Sequence, residues 1–137
     1  MEKIFSKTKP ELLLHIINRC EDISEKREDL TPEAEFLQVS TFKMKRGKTF
    51  QAHYHLEQNK KTTKTQESWV VIKGAVKVFL YDIDKSLLAE KVLRPGDCSI
   101  TLHGGHNYLA LEDGTLIYEY KTGPYNGRLL DKGLIHT

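Results

Sequence analysis

Long apolar runs are missing from this sequence. Its uninterrupted aliphatic and aromatic stretches, such as residues 69–72, are only a few residues long, whereas a membrane-spanning helix needs about 20 apolar residues. An integral helical membrane protein is therefore not expected. Cysteine is equally scarce: Cys20 and Cys98 form no CxxC pair and allow one bridge at most. The first residues, MEKIFSKTKPELLL, hold no sustained apolar core of an export signal. Reduced thiols and a cytoplasmic location are the expectation. Charge of one sign is not in excess either, with 21 Lys plus Arg against 19 Asp plus Glu and a net charge of +2. Nucleic acid and anionic membrane are thus not expected as main partners. The four prolines are scattered, and no repeat, low-complexity tract or Gly/Ser-rich linker divides the 137 residues. Nucleophile elbow, P-loop and dinucleotide fingerprint are absent, which leaves triad hydrolases, NTPases and dehydrogenases without support.

What is present has two parts. Pro10, then Glu11 to Leu14 with Ile16 and Ile17, has the look of a helix with proline in its first turn. Leu13, Ile16, Ile17 and Cys20 recur at helical spacing, and a charged connection follows up to Pro32. From Glu35 onward, short stretches rich in Val, Ile, Phe, Tyr and Thr alternate with turn signals. The strand candidates are residues 36–45, 49–55, 68–73, 76–81, 87–93, 98–102, 106–111 and 115–121. About eight short strands at such spacing predict an all-β sandwich or small barrel. Three regions follow: an N-terminal helical arm and linker over 1–34, a β domain over 35–125 and a tail over 126–137.

Four of the six histidines fall in the β region. On an extended strand, His53 and His55 share a face and Tyr54 takes the other. Paired imidazoles suit a transition-metal ion. Glu67 opens the next strand candidate, and His106 follows the Gly104-Gly105 turn. His15 lies in the helical pattern and His136 in the tail, and both read as structural. In the last strand, Glu119 and Lys121 share one face and Tyr118 and Tyr120 the other. The ordinary reading of the charged face is a surface ion pair, and the alternative is that it points into the barrel. Cys98 reads as a small buried hydrophobe.

The surroundings of the histidines resemble the cupin superfamily. Gly47, five residues, His53-x-His55, then Glu67, six residues and Gly74 match its first motif, and Pro95-Gly96-Asp97 through His106 echo its second more loosely. The resemblance implies a double-stranded β-helix, the cupin jelly-roll barrel. It also implies one divalent transition metal (Fe, Mn, Ni or Zn) held by His53, His55, Glu67 and His106. Eleven residues, 56–66, stand where the family has a far shorter spacer. Glu57 is thus a rival to Glu67, although the intact spacing to Gly74 favours Glu67. Leu102 and Ala110 stand where the second motif has Pro and Asn, which keeps His103 open as the alternative to His106.

By this resemblance the chain is expected to be a homodimer, with Leu12, Leu13, Ile16 and Ile17 at its interface or on their own barrel. Its site is expected to be open to a small polar molecule such as a sugar or sugar nucleotide. If it is an enzyme, a metal-dependent isomerase or dioxygenase-like reaction is implied. A metal-independent sugar-nucleotide epimerase or isomerase and a non-catalytic binding module are the alternatives.

Overall fold

A computed structural model describes residues 1–136, and its regular secondary structure is almost wholly antiparallel strands. In chain order these are β1 (Glu2–Phe5), β2 (Leu13–Asn18), β3 (Glu28–Asp29), β4 (Ser40–Thr41), β5 (Glu67–Lys73), β6 (Val76–Tyr81), β7 (Leu87–Leu93), β8 (Cys98–Thr101), β9 (Gly105–Ala110) and β10 (Leu116–Lys121). A single helical turn, α1 (Arg128–Asp131), follows. Five strands form one sheet in the order β1-β2-β8-β5-β10, and three form a second in the order β7-β6-β9. β3 and β4 make a separate short ribbon. Among the described residues, no helix is long and apolar enough to cross a membrane.

The all-β expectation holds, but the N-terminal helical arm does not. Residues 2–5 and 13–18 form a β-hairpin, and Pro10 lies in its connection. The reason is burial on both faces. Leu14, His15, Ile16 and Ile17 are all at most 1% exposed, whereas an amphipathic helix hides only one stripe. A short continuous apolar run fits a central strand equally well by periodicity, and here pairing with both β1 and β8 decides it. Ile16 and Ile17 are consequently spent on the chain's own core and offer nothing to a dimer interface. The strands expected after residue 67 form within a residue or two of their sequence bounds. Of the candidate at 36–45, only Ser40–Thr41 pairs, and 49–55 forms no strand.

Alternation divides the apolar residues between two clusters. Ile17, Val71, Val76, Val78, Leu80 and Leu93 fill the space between the two sheets. Ile16, Leu30, Cys98, Ile100 and Leu102 lie on the other face of the five-stranded sheet, under Leu37 and Val39. Burial pushes the Cys98 thiol up to about 11, so it behaves as the small hydrophobe its position suggested.

Two buried aspartates fasten the turns. Asp97 accepts the backbone N–H of Cys20 at 2.9 Å, that of Arg94 at 3.0 Å and the Arg19 guanidinium at 2.8 Å. Asp82 accepts from the Ser6 hydroxyl at 2.6 Å and the Lys7 N–H at 2.7 Å. Burial alone would raise both carboxyls, yet these donors hold them below the usual range.

His15 sits on β2, an interior strand of the large sheet, with no exposed surface. Its Nε2–H donates to the Tyr81 carbonyl at 2.9 Å, and its Nδ1 lies 3.1 Å from the Thr101 hydroxyl. The turn beyond it needs glycine: Gly104 has φ +77°, and a Cβ there would lie 2.3 Å from the Tyr81 carbonyl oxygen. Burial lowers the His15 pKa from 6.5 to about 4. The unfolded chain therefore binds more protons between those values, and stability is full above about pH 6.5 and falls as pH drops towards 4. Urea titrations are expected to show a loss of about 2 kcal/mol from this residue between about pH 7.5 and pH 5. His15→Gln is expected to flatten that dependence, and an unchanged slope would refute the assignment.

Candidate functional site

The same i, i+2 alternation that builds the core places four polar or aromatic side chains face to face. On β5, Glu67 and Trp69 point between the sheets; on β9, His106 and Tyr108 point back at them. They meet in pairs. His106 Nε2 lies 3.1 Å from Glu67 Oε1. The rings of Trp69 and Tyr108 stack with centroids 3.8 Å apart and planes within 4°. The Trp69 indole N–H is shared by Glu67 Oε1 at 2.9 Å and Glu119 Oε2 at 3.1 Å. The Tyr108 hydroxyl pairs with Ser99 Oγ at 2.9 Å. Glu119 and Lys121, 3.2 Å apart, take the face of Glu67 and Trp69, so the alternative orientation is the one found, while Glu119 stays exposed at the edge of the sheet and still pairs with Lys121. Tyr118 and Tyr120 take the outer face.

These side chains line a cavity of about 570 Å³, of the size that takes a small molecule. The segment after β10 forms another of its walls, with Arg128, Asp131, Lys132 and Ile135. Ile135 packs against Gly105, where a Cβ would meet its Cδ1 at 2.4 Å. Asp131 accepts the Thr65 hydroxyl at 2.7 Å.

The electrostatics follow from these contacts. Burial raises the Glu67 carboxyl, but the hydrogen bond and charge of His106 and the Trp69 N–H outweigh it, so Glu67 is held below the usual range. Glu67 is ionised at neutral pH and accepts the His106 Nε2–H. That fixes the orientation of the ring and leaves Nδ1 as its free nitrogen. His106 Nδ1 is buried without a hydrogen-bond partner. Burial also pushes the Tyr108 phenol up, so it stays a neutral hydroxyl.

Of the four predicted ligands, the structure brings together Glu67 and His106. His53 and His55 lie on an exposed, irregular segment between β4 and β5. Their rings are 5.3 Å apart, and His53 Nδ1 bonds the Gln51 carbonyl at 2.9 Å. Glu57 is exposed on the same segment. His103 turns away to Glu35 at 3.6 Å and Lys64 at 3.3 Å and does not line the cavity. Among the described residues, no three His, Cys, Asp or Glu side chains are arranged to hold a metal ion. As placed, the four residues do not form one centre. The sequence reading missed Trp69 and Tyr108. The alternation applied to His53-x-His55 applies equally to Glu67-x-Trp69 and His106-x-Tyr108, and it would have found them.

The shared indole N–H couples Trp69 to both carboxylates. Trp69→Phe keeps a ring on Tyr108 but removes that donor, and is expected to cost about 1–2 kcal/mol in denaturant unfolding. Combined with Glu119→Gln, the losses are expected to be non-additive by at least about 0.5 kcal/mol. Strict additivity would show that the bridge carries no energy.

No family model matches this chain, and neither a curated protein nor a solved structure matches it.

Proposed function

We propose that this chain binds a small hydroxylated molecule, a sugar or sugar derivative, in the cavity between its sheets, with Glu67 and His106 as the polar anchor. The observation that carries the reading is the composition of one wall. A carboxylate–imidazole pair adjoins stacked aromatic rings, and all four side chains line the cavity. Carboxylates accept hydroxyl hydrogens, and aromatic rings cover the apolar faces of a sugar ring. Should the site turn its ligand over, His106, oriented by Glu67, is the residue to move a proton, as in an isomerisation beside a carbonyl. Without turnover, the same contacts make a binding module.

A second reading is a metal-dependent cupin with a jelly-roll barrel, in which His53, His55, Glu67 and His106 hold one Fe, Mn, Ni or Zn ion. What supports it is the sheet edges. Both β9 and β10 border the cavity, and each is unpaired on one side among the described strands. The intervening residues 42–66 carry exposed Phe42, Phe50, Tyr54 and Leu56. Addition of residues 49–55 beside β9 in the register of His106 would turn both imidazoles towards Glu67.

The two readings separate experimentally. A panel of monosaccharides and sugar phosphates is expected to raise the melting temperature of the full chain, because a ligand at 100 times its Kd stabilises by about 2.7 kcal/mol. Glu67→Gln and Trp69→Ala are expected to abolish that shift; a shift that survives both places the ligand elsewhere. Elemental analysis after metal loading is expected to give about one ion per chain under the second reading, with sharply reduced occupancy in His55→Ala. Metal content unchanged in His55→Ala, or none at all, rejects the four-residue set and leaves the sugar reading standing.

A further inference from the structure

Resting on the cavity reading, we propose that residues 127–135 form a hinged strap over one end of the cavity, latched to one sheet at Thr65 and to the other at Gly105, and that it swings clear to admit a ligand. The segment stands where such a strap would have to stand. One wall of the cavity comes from residues 128–135, and the others come from strands and their ends. In the five-stranded sheet, Lys121 at the end of β10 pairs with Glu67 at the start of β5. In the three-stranded sheet, Gly105 at the start of β9 pairs with Tyr81 at the end of β6. Glu67, Tyr81 and Gly105 all line the cavity, so these strand ends border it together.

The strap touches both sheets at this end. It meets the first where Asp131 accepts the Thr65 hydroxyl at 2.7 Å, just before β5. It meets the second where Ile135 packs on Gly105. The stretch from Asp131 to Ile135 reaches at most about 14 Å when extended, enough to cross the roughly 10 Å between packed sheets.

It is also held lightly. The last backbone bond tying this part of the chain to a sheet is at Thr122, whose N–H donates to the Gln66 carbonyl at 3.0 Å. Beyond Thr122, among the described residues, the backbone hydrogen-bonds only to itself. The Leu130 N–H donates to the Gly127 carbonyl at 3.2 Å and the Lys132 N–H to the Arg128 carbonyl at 3.0 Å. α1 is a single turn without a side-chain cap, and so short a helix has no stability of its own. Leu129 and Leu130 are 96% and 83% exposed, so they anchor nothing. The charge of Lys132 acts on Glu67, but the two form no ion pair among the described residues. Gly127, at φ +93°, and Gly133 lie on either side of α1 with nothing packed on them, and glycine turns at such points at the least steric cost. A segment tied by one hydrogen bond and one apolar contact opens locally at far lower cost than the sheets do. Its opening exposes Trp69, the single tryptophan of the chain, together with Glu67 and His106.

The test is acrylamide quenching of Trp69 fluorescence in the full chain, which needs no ligand. Loss of one hydrogen bond shifts an opening equilibrium about two- to tenfold. Thr65→Val and Ile135→Ala are each expected to raise the quenching constant, and the pair together by at least about twofold. Leu129→Ala, on the solvent side of the strap, is expected to leave it unchanged. Circular dichroism and the urea midpoint check that the sheets are intact; should Ile135→Ala disturb them, Thr65→Val at its exposed position decides alone. Quenching in the wild-type chain as free as in the latch variants overturns the proposal, because the strap then closes nothing. An equal rise in Leu129→Ala also overturns it, because the latch points are then not special. Glucose binding to a chain whose quenching ignores the latch overturns the strap and keeps the cavity reading. Quenching that follows the latch while no sugar of the panel binds supports the strap and removes the sugar reading.

Discussion

Register along β5 is the constraint on which the rest of this structure depends. β5 is paired on both sides, with Glu67 opposite Thr101 of β8 and Lys121 of β10, and Trp69 opposite Ser99 and Glu119. These rows continue to His15 and Ile17 on β2. Across the inner face, the sheet therefore passes from the apolar core at β2 to charged groups at β10. A slip of one residue would turn Ser68 and Val70 inward and carry Glu67 and Trp69 to the opposite face. Two neighbours hold the strand against that slip, and the apolar residues of both faces penalise it.

The polar residues inside this sandwich are tolerated because most of them are paired. His15 has partners at both ring nitrogens, Asp82 and Asp97 each collect several donors, and Tyr108 meets Ser99. These contacts also join parts distant in sequence. Asp97 links the end of β2 to the β7–β8 turn, and Asp82 links the β1–β2 connection to the β6–β7 turn. Four buried side-chain atoms lack a partner among the described residues, Asn18 Oδ1, Thr41 Oγ1, Ser68 Oγ and His106 Nδ1, and of these only His106 belongs to a residue that lines the cavity. Charges of both signs line the cavity: Glu67 and Glu119 on β5 and β10, and Arg128, Asp131 and Lys132 on the C-terminal segment.

Much of the architecture was legible before any coordinates. From Ser68 to Lys121, period-two apolar patterning and turns built on Gly, Pro and Asp marked six strands nearly at their bounds. Glu67 and His106 were singled out as site residues, and they do meet. The errors have physical causes. Leu13 to Ile17 reads as a helix face because a short run buried on both sides carries no period of its own. Residues 49–55 have the alternation of a strand, but a strand exists only where another strand's N–H and C=O groups are available to it, and here none pairs with them.

The sequence by itself determined the all-β class, the turn positions and which side chains of a given strand share a face, because those depend on local sterics and on a period of two. Tertiary structure alone decided which faces meet. It turned Glu119 and Lys121 to the face of Glu67 and Trp69, stacked Trp69 on Tyr108, and set Arg128 and Lys132 against a wall made mostly of strands more than 20 residues earlier in the chain. Sheet order and register set these contacts between segments far apart in sequence, and no local pattern of residues encodes them.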